Sequence, residues 1–474
     1  MIKARSRSDG LFIRDLTLLF GLAFLVRALT AYWSCGFDHP NEPYRLLEPL
    51  IALKGYSTRL PWEWSSHLLS RIPVFIQSLW LGFGEQVGVQ SPMSQIFFLR
   101  LTYAFLSLLP VWAAVEIVRS AVAHSKSSWK QERMLALLAG YGVALWPEQI
   151  YQSVRLMDYT LEAAGLACAV ILLLRNKQSV FKFSLIGIVL GSLFFVRFQT
   201  GLHFISILLV ILFLSPEDSS RWKKALLTVS AYIATIGILG LWEASGTLPE
   251  VVSGHHAGGN EFLTPFLNNF HYNWAEGGAS RDYGADPWHR YLSETAKYFG
   301  VSAFTVLVAL AFSPFSDRKM LLLWIFPIFI HSFISHKEGR FVFGTLWLLI
   351  PVAVTALRAD LRGLKSQKWI VPLCLVALTA GALTSASRVS QRLGLRRAEL
   401  YSLSSLSQTL KNPALPIVVH ADPTFHPVGF WLRTHQQICY SSLEANPYPC
   451  EEELRKPHWQ LEKKAQNWRA VVEP

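Results

Sequence analysis

The stretch that decides how this chain is organised reads Phe37-Asp-His-Pro-Asn-Glu-Pro-Tyr-Arg-Leu-Leu-Glu48 and continues as Leu60-Pro-Trp-Glu-Trp64. It follows directly on the first apolar segment and holds three carboxylates, one histidine and one arginine. A second polar cluster, Ser335-His-Lys-Glu-Gly-Arg340, lies far downstream between two apolar segments. The two clusters together indicate a functional site, whereas a solvated loop at the end of a helix would explain the first one alone.

The composition indicates a multi-pass membrane protein. Of the 474 residues, 51% are hydrophobic and 13% aromatic, and the mean hydropathy is +0.30. Only 16% are charged, against about 25% in a typical soluble domain. A chain so poor in charge and so rich in apolar side chains is expected to lie mostly within a bilayer.

Apolar segments of membrane-spanning length recur along the chain. The first runs from about residue 16 to residue 33 and lacks a small-residue cleavage site, so we interpret it as an uncleaved anchor rather than a signal peptide. Segments of about 15–25 apolar residues are also centred near residues 107, 142, 166, 189, 207, 234, 303, 326, 349 and 376. We therefore expect an all-α polytopic fold with about eleven spans, and the shorter stretch 72–83 is expected to be an interfacial or re-entrant helix.

The placement of the basic residues predicts the orientation. With the N-terminus in the cytoplasm, the inner segments carry 20 Lys and Arg, whereas the longer outer loops carry 10. Basic residues concentrate on the cytoplasmic side of membrane proteins, so we expect a cytoplasmic N-terminus and an extracytoplasmic C-terminus. The net charge of +12 is then an orientation signal, and no nucleic-acid partner is expected. No glycine-rich nucleotide loop occurs either.

The sequence divides into two expected domains. Residues 1–384 would form the membrane domain, with a first outer loop 33–94 and a long outer loop 244–292. The tail, residues 385–474, has a strand-like segment at 416–420 and a helix-like segment at 451–468, which predicts a small extracytoplasmic α/β cap. Cys439 and Cys450 could form a disulfide if that cap is extracytoplasmic.

Carboxylates of the first outer loop are candidates for proton transfer. A glycosyl or acyl transfer to an alcohol needs a base that takes the hydroxyl proton, and Asp38, Glu42 and Glu48 are available. The alternative is a solvated interfacial loop whose acids bind water.

The downstream cluster offers positive charge. His336, Lys337 and Arg340 place two fixed charges and a titratable donor within five residues. Where water is partly excluded, such a group suits a phosphate leaving group. The alternative is a set of interfacial cations that anchor the helix ends.

Arginines near the outer ends of the expected spans have two explanations. Arg155 and Arg197 could contact a substrate, or each could form a structural ion pair, for instance with Asp158 or Glu162. The same choice applies to Arg27 in the first span. Ionisable groups at membrane depth are costly, so they usually pair or line a cavity.

The long outer loop is rich in histidine and aromatic residues. Its histidines, at positions 255, 256, 271 and 289, follow no zinc-binding spacing, so no metal site is expected there. Asn273 and the run Tyr283-Gly-Ala-Asp-Pro-Trp-His-Arg-Tyr291 instead predict an aromatic, hydrogen-bonding surface. Such a surface suits sugars, and it equally suits the membrane interface.

These pieces resemble one family, the lipid-phosphate-mannose-dependent mannosyltransferases of glycosyltransferase family 22, which are GT-C enzymes that extend GPI anchors and dolichol-linked oligosaccharides. The first loop is similar to the family pattern at His39-Pro40-Asn41-Glu42, Glu48, Pro61-Trp62-Glu63-Trp64 and Arg71. Later matches are His336-Lys337-Glu338-Gly339-Arg340-Phe341, and Tyr283-Gly284 with Pro287-Trp288-His289 and Tyr291, preceded by Asn273. Arg155 with Glu162, and Arg197, lie where the family has similar arginine motifs.

The resemblance implies an inverting transfer of a hexose, above all mannose, from a polyprenyl-phosphate carrier to a hydroxyl of a glycolipid or glycan. Glu42, helped by Asp38, would be the catalytic base. The departing phosphate would be bound by His336, Lys337 and Arg340. Substrate-binding residues are expected at His39, Asn41, Arg45, Glu48, Trp62, Glu63, Arg155, Arg197, Asn273, Trp288 and His289. No resident cofactor is expected, with a divalent metal as the alternative.

Some residues depart from the family pattern. Asn41 stands where the family usually has an aspartate, and an amide cannot act as a base. Phe198 replaces a frequent proline, and the acidic motif before the long loop is reduced to Glu243. Either Glu42 or Asp38 supplies the base, or the substrate or the activity is altered.

Two alternatives and a location follow from the resemblance and its departures. One alternative is a transferase for another lipid-linked sugar, and the other is a non-catalytic protein that binds or transports a lipid-linked sugar. The expected location is a bacterial inner membrane with the site facing the periplasm, or the endoplasmic reticulum membrane in a eukaryote.

Overall fold

The computed structural model describes most of the chain up to residue 393 and short segments of the tail. The described residues are 2–34, 36–39, 41–55, 60–123, 129–175, 181–213, 220–249, 262–303, 306, 318–359, 367–393, 406, 410, 417–419, 438–440, 458–464 and 467–473.

Helices make up most of the described chain. The first part holds α1 (Ile2–Trp33), a π-helical turn (Pro43–Leu47), α2 (Glu48–Ala52), α3 (Trp62–Ser65), α4 (Ile72–Gln86), α5 (Pro92–Leu106), α6 (Leu108–Ala123), α7 (Trp129–Leu145), α8 (Pro147–Gln152) and α9 (Asp158–Leu174). The middle part holds α10 (Phe181–Val196), α11 (Gly201–Phe213), α12 (Arg221–Ala244), α13 (Thr264–Phe270), a second π-helical turn (His271–Ala275), α14 (Gly278–Tyr283) and α15 (Arg290–Phe299). The last part holds α16 (Leu322–Ser332), α17 (Arg340–Leu346), α18 (Leu349–Ala359) and α19 (Gln367–Leu393).

Local sequence explains where α5 begins. The Ser91 side chain accepts a hydrogen bond from the Ser94 N–H at 3.1 Å, and Pro92 occupies the first turn. Serine satisfies an otherwise unpaired amide at this position, and proline has no amide to leave unpaired. The hydroxyl of Ser107, between α5 and α6, donates to the Ala104 carbonyl at 2.7 Å. The two helices follow each other almost without interruption.

Two helices within the described ranges are long and apolar enough by themselves to cross a membrane. They are residues 92–122, which combine α5 and α6, and α12. Shorter apolar helices are found at residues 181–196, 198–213, 322–332 and 340–355. The expected span near residue 303 falls largely on residues outside the description. The total of about eleven spans, the interfacial placement of α4 and the orientation therefore stay predictions.

Small residues let the helices of the core approach closely. Ala113, Ala114, Ala136, Ala139 and Ala167 are fully buried where α6 packs against α7 and α9. A small residue likewise allows close contact between α10 and α12. A Cβ placed on Gly187 would lie 2.4 Å from the Thr228 carbonyl oxygen, which is a backbone atom that cannot turn away. Close contact through small residues is typical of helices that pack within a bilayer.

Strands in the tail replace a predicted helix. The order in the sheet is β2 (Ile438–Tyr440), β1 (Ile417–Val419), β3 (His458–Lys464) and β4 (Asn467–Glu473). Strand β1 is parallel to β2 and β3, and β3 is antiparallel to β4. The helix expected at 451–468 is wrong over β3, where Trp459 and Leu461 alternate with polar residues at the period of a strand.

Two other predictions for the tail concern the domain boundary and a disulfide. Helix α19 continues to Leu393, so the predicted domain boundary at 384–385 falls inside a helix. The predicted disulfide involves Cys450, which lies outside the described residues, and the Cys439 side chain is likewise not described.

The contact of Gly187 with α12 gives a test of the packing. Gly187→Ala should destabilise the protein by about 1–3 kcal/mol, because overpacking at a backbone atom cannot be relieved by a rotamer change. The readout is the thermal unfolding midpoint of the detergent-purified protein. Gly237→Ala is the matched control, since a Cβ there meets nothing within 4 Å and the midpoint should stay equal or rise. Equal midpoints for the two variants would contradict the described packing of α10 on α12.

Candidate active site

A cavity of about 510 Å³ lies between the first outer loop, the beginning of α9, the end of α10 and the loop before α17. Its size is within the usual range of small-molecule sites, roughly 300–1,000 Å³. The lining residues are His39, Asn41, Tyr44, Arg45, Pro61, Trp62, Glu63, Leu68, Leu69, Ser70, Asp158, Phe195, Val196, Arg197, Phe198, Gln199, Asn269, Tyr272, Asn273, Ala279, Tyr283, His336, Glu338, Arg340 and Phe341. The two polar clusters found in the sequence therefore meet at one cavity.

Glu42 ties the first loop to the rest of the protein. Its side chain is fully buried, and its Oε1 accepts a hydrogen bond from the Asp38 N–H at 2.9 Å. Its Oε2 accepts a longer one from the Leu156 N–H at 3.4 Å. The guanidinium groups of Arg155 and Arg100 lie 3.5 Å from Oε1 and 3.6 Å from Oε2. Both arginines are buried as well, so the charges compensate one another away from water.

The same two arginines hold the backbone that leaves α1. Arg100 donates to the Gly36 carbonyl at 2.8 Å and to the Ser34 carbonyl. Arg155 donates to the Gly36 carbonyl at 2.8 Å. Carbonyls at the end of a helix need partners when they are buried, and here the arginines supply them.

The roles of Glu42 as a base and of Arg155 as a substrate contact stay predictions, and two observations weigh against them. Neither residue lines the cavity, and the Glu42 carboxylate is enclosed by two cations and two backbone amides. A catalytic base must reach the proton that it takes. We therefore interpret Glu42 as an anchor of the loop and Arg155 as its partner.

Asp38 also forms an ion pair outside the cavity lining. Its carboxylate accepts hydrogen bonds from Arg392 of α19, through Nε at 3.3 Å and through Nη2. Arg392 Nη1 donates in addition to Glu148 at 2.7 Å. Burial would raise the pKa of Asp38, but the hydrogen bonds from Arg392 outweigh it and the pKa is lowered. Asp38 therefore joins the first loop to α19, and its role as a helper base stays a prediction.

Lys337 is buried, and its ammonium group donates hydrogen bonds to backbone carbonyls. Its Nζ donates to the carbonyls of Asp286 at 3.1 Å and Ile334 at 2.5 Å. Only 3% of the residue is exposed, and it does not line the cavity. These contacts join the loop before α17 to the loop before α15, and the contact of Lys337 with phosphate stays a prediction.

Three other predicted substrate-binding residues lie away from the cavity lining. Glu48 is fully buried in α2. Trp288 and His289 are exposed just before α15 and pack edge to face against each other. None of the three belongs to the cavity lining.

Arg340 and Glu338 form the centre of the cavity's basic wall. Arg340 Nη2 donates to Glu338 Oε1 at 2.6 Å, and Nε lies 2.6 Å from Oε2. Glu338 is also contacted by His336 at 3.1 Å and by His39 at 3.6 Å. Burial would raise the pKa of Glu338, but His39, Arg340 and His336 hold it well below its usual value. Glu338 therefore stays ionised and holds these side chains at the cavity.

The buried carboxylate of Glu162 positions Arg197. Its Nη1 donates to Glu162 Oε2 at 2.6 Å and to the Arg340 carbonyl at 3.0 Å. His203 Nε2 lies 2.6 Å from the other oxygen of Glu162. The ion pair of Arg197 with Glu162, which the sequence left as an alternative, is confirmed. It is compatible with a place in the lining, since Arg197 also faces the cavity.

Asp158 and Asn41 flank Arg45 on the cavity wall. Asp158 Oδ2 lies 3.8 Å from Arg45 Nη1 and 3.7 Å from Arg197 Nε. Asn41, with its amide oxygen turned toward the arginines, accepts from Arg45 Nε at 3.0 Å and from Arg340. Sequence reasoning considered Asp158 only as an arginine partner. Its position as the first residue of α9, directly after the expected outer loop, was the signal that could have identified it as a cavity residue.

Aromatic side chains form the opposite wall. The rings of Trp62 and Tyr272 lie 4.9 Å apart, and Trp62 Nε1 donates to the Tyr283 hydroxyl at 3.2 Å. Asn273 donates to the Asn269 carbonyl at 2.8 Å and also lines the cavity. Beyond Trp62 and Tyr272 an open groove of about 600 Å³ continues toward the surface. Aromatic faces beside polar groups give a surface on which a sugar ring can pack.

Metal ligands do not cluster in the part of the chain that the structure describes, where no group of three His, Cys, Asp or Glu residues could hold an ion. His255 and His256 lie outside the described residues. The absence of a resident metal therefore stays a prediction.

Comparison with known proteins identifies the family. Residues 18–414 match the Alg9-like mannosyltransferase family. The chain belongs to this family. No curated protein sequence matches it. The matched range contains every cavity-lining residue described above, so the cavity is part of the family's common region.

Solved structures share the fold at low sequence identity. The structure of ArnT from Cupriavidus metallidurans bound to undecaprenyl phosphate has a TM-score of 0.63 at 12% identity, over 94% of this chain and 92% of ArnT. The same ArnT in the apo state has a TM-score of 0.58 at 11% identity over the same shares. The oligosaccharyltransferase AglB from Archaeoglobus fulgidus, in complex with an inhibitory peptide and a dolichol-phosphate, has a TM-score of 0.51 at 13% identity. That match covers 90% of this chain and 64% of AglB.

The burial of Glu42 gives a test that separates an anchor from a base. Glu42→Gln should destabilise the protein by about 3–5 kcal/mol, because it leaves Arg100 and Arg155 buried without a counter-charge. The readout is the unfolding midpoint in detergent together with the amount of folded protein. Glu63→Gln is the control, since this carboxylate is partly exposed and should cost at most about 1 kcal/mol. A Glu42→Gln protein that is as stable as the native chain would refute the anchor role.

Proposed function

We propose that the chain is an integral-membrane inverting glycosyltransferase. It moves a hexose, with mannose favoured by the family, from a polyprenyl-phosphate carrier to a hydroxyl of a glycolipid or glycan. The observation that carries the proposal is a single cavity, inside the family's matched region, that combines three guanidinium groups with an aromatic, hydrogen-bonding wall.

Arg45 and Arg340 are the proposed contacts of the donor phosphate. Arg45 is the most exposed of the three guanidinium groups at 30%, and its contacts with Glu63 and Asp158 are 3.3 and 3.8 Å long. Loose ion pairs of this kind can be exchanged for a bidentate contact with phosphate. Asn41 lies between Arg45 and Arg340 and carries no charge. An anion that approaches the two arginines therefore meets one negative charge fewer than it would beside an aspartate.

Related folds support a lipid phosphate as the ligand. The ArnT structure is bound to undecaprenyl phosphate, and the AglB complex contains a dolichol-phosphate. By analogy, the phosphate of the donor enters the cavity of this chain while its lipid stays in the membrane. Because the guanidinium groups neutralise the leaving phosphate, the transfer needs no separate acid. A single displacement on a β-linked donor then gives an α-linked product.

His336 contributes to this site through contacts of its ring nitrogens with other protein groups. Its two ring nitrogens contact the Gly284 carbonyl at 3.0 Å and Glu338 at 3.1 Å. We assign to it the orientation of Glu338, and through Glu338 that of Arg340. Lys337 fixes the same loop from the buried side.

The acceptor is proposed to lie along the aromatic wall. The cavity continues past Trp62 and Tyr272 into the open groove, whose polar lining includes Asn268 and Asp282. A glycan or glycolipid headgroup has both apolar ring faces and hydroxyl groups, and this wall offers a partner for each. The reacting hydroxyl would then point toward Arg45 and Asp158.

The distribution of basic residues supports an extracytoplasmic site. The cavity is lined by residues from the loops that this distribution predicts to be outside. We propose a bacterial inner membrane with the cavity open to the periplasm, or the luminal face of the endoplasmic reticulum in a eukaryote.

A non-catalytic role in binding or transporting a lipid-linked sugar is the second candidate. It is favoured by Asn41, which cannot be a base, and by Glu42, which is enclosed. A transferase for a different lipid-linked sugar would use the same cavity, and the mass of the transferred residue distinguishes it.

Mass spectrometry of membrane glycolipids tests the proposal. Deleting the gene should remove one hexose from a glycolipid, and the native gene should restore it. Arg45→Gln should lower the restored product about 10- to 100-fold, the effect of losing a hydrogen bond from a charged group worth about 1.5–3 kcal/mol. Arg119→Gln, which removes a guanidinium far from the cavity, should restore the product fully. Glycolipids that are unchanged by deletion would rule out the enzyme and favour the second candidate.

A further inference from the structure

We propose that Asp158 is the general base that takes the proton from the acceptor hydroxyl. The proposal rests on the proposed function, because only a transfer to a hydroxyl needs such a base. It answers the question raised by the buried Glu42 and the amide of Asn41, neither of which can receive a proton from a substrate in the cavity.

Three carboxylates line the described part of the cavity, namely Glu63, Asp158 and Glu338. Glu338 has both oxygens engaged, since Arg340 approaches each of them at 2.6 Å and His336 binds one at 3.1 Å. His39 lies 3.6 Å from Oε2 in addition, so four nitrogen atoms surround a carboxylate that has about four acceptor sites. Glu338 is thereby excluded as the base.

Glu63 faces the same cavity from a different element. It belongs to α3 and contacts Arg45 at 3.3 Å. A smaller cavity of about 80 Å³ adjoins the main one and is lined by Asn41, Arg45 and Asp158, but Glu63 is absent from its lining. Asp158 therefore lies on the side of Arg45 where Asn41 also lies, and Glu63 contacts Arg45 from elsewhere in the main cavity.

Asp158 is prepared for proton transfer by its own contacts. Its Oδ1 accepts a hydrogen bond from the Tyr159 N–H at 3.0 Å, which fixes the carboxyl group at the start of α9. Its Oδ2 faces Arg45 at 3.8 Å and Arg197 at 3.7 Å, and these distances are too long for hydrogen bonds. The two arginines thus keep the group charged while leaving room at Oδ2 for an acceptor O–H.

The arrangement also couples the base to the leaving group. Arg45 contacts Asp158 through Nη1 and Asn41 through Nε. A phosphate bound by Arg45 and Arg340 would therefore lie beside the carboxylate, and the anomeric carbon would lie between them. An in-line displacement requires this order, with the acceptor oxygen and the leaving phosphate oxygen on opposite sides of the anomeric carbon.

The step balances without a further reactant. The acceptor oxygen forms a bond to the anomeric carbon as the bond between that carbon and the phosphate oxygen breaks. The acceptor proton passes to Asp158 Oδ2, and the lipid phosphate leaves with the electron pair of the broken bond. Water removes the proton from Asp158 after the product has gone.

Complementation of the deletion strain tests Asp158 with the native acceptor present. Asp158→Asn, which keeps the shape but removes the basic group, should lower the hexosylated glycolipid at least about 100-fold. The double variant Asp158→Asn with Asn41→Asp moves the carboxylate from position 158 to position 41 of the same cavity wall. Because position 41 also contacts Arg45, the double variant should recover at least tenfold over Asp158→Asn alone, a gain that a merely structural ion pair would not give. Glu85→Gln, which removes an ion-paired carboxylate outside the cavity, should complement like the native gene.

Binding of undecaprenyl phosphate to the purified variants separates chemistry from donor binding. Asp158→Asn should bind it within about threefold of the native protein, or more tightly, because a negative charge beside the arginines has been removed. Product formation by Asp158→Asn within threefold of native would overturn the proposal, and so would its failure to accumulate as folded protein. If the native gene itself restores no hexose, the proposed function fails and not merely the choice of base.

Discussion

A fully buried carboxylate, Glu42, is the constraint on which the rest of the site depends. Two buried arginines and two backbone amides surround it, and they come from α5, from the segment before α9 and from the first loop itself. A charge removed from water is tolerated only with such compensation. The requirement brings three distant parts of the chain to one point, and Asn41, Arg45 and Asp158 are held at the cavity as a consequence.

The cavity built on this anchor is close to electrically balanced. Its described lining contains three arginines (Arg45, Arg197 and Arg340) and three carboxylates (Glu63, Asp158 and Glu338). The buried Glu162 forms a further ion pair with Arg197. The contacts are unequal, however. Glu338 and Arg340 form an ion pair at 2.6 Å, whereas the ion pairs of Arg45 with Glu63 and Asp158 are 3.3 Å or longer. The short ion pair of Glu338 with Arg340 fixes the positions of these side chains. The longer ion pairs of Arg45 leave its guanidinium group available to a substrate phosphate, and Asp158 available to a substrate hydroxyl.

Sequence patterns predicted the family and which segments meet, but not the direction of each side chain. The two polar clusters do meet at one cavity, and Arg45, Arg197 and Arg340 line it. Asn41 and Glu42 are neighbours, yet one faces the cavity and the other the interior. The same holds for His336 and Lys337. Motif matching cannot separate adjacent polar residues at the start of a helix, since the choice depends on which buried partners lie behind them. The helix predicted in the tail failed because cross-strand pairing of β3 with β4 overrode local helix preference.

Locating the phosphate of a bound lipid tests the central claim most directly. The measurement is a cryo-electron microscopy structure of the purified protein with undecaprenyl phosphate. Our account predicts the phosphate in the cavity, at about 3 Å from the guanidinium nitrogens of Arg45 and Arg340, with Glu42 still enclosed by Arg100 and Arg155. A phosphate bound outside this cavity, or one held by Lys337 after release from its backbone partners, would contradict it.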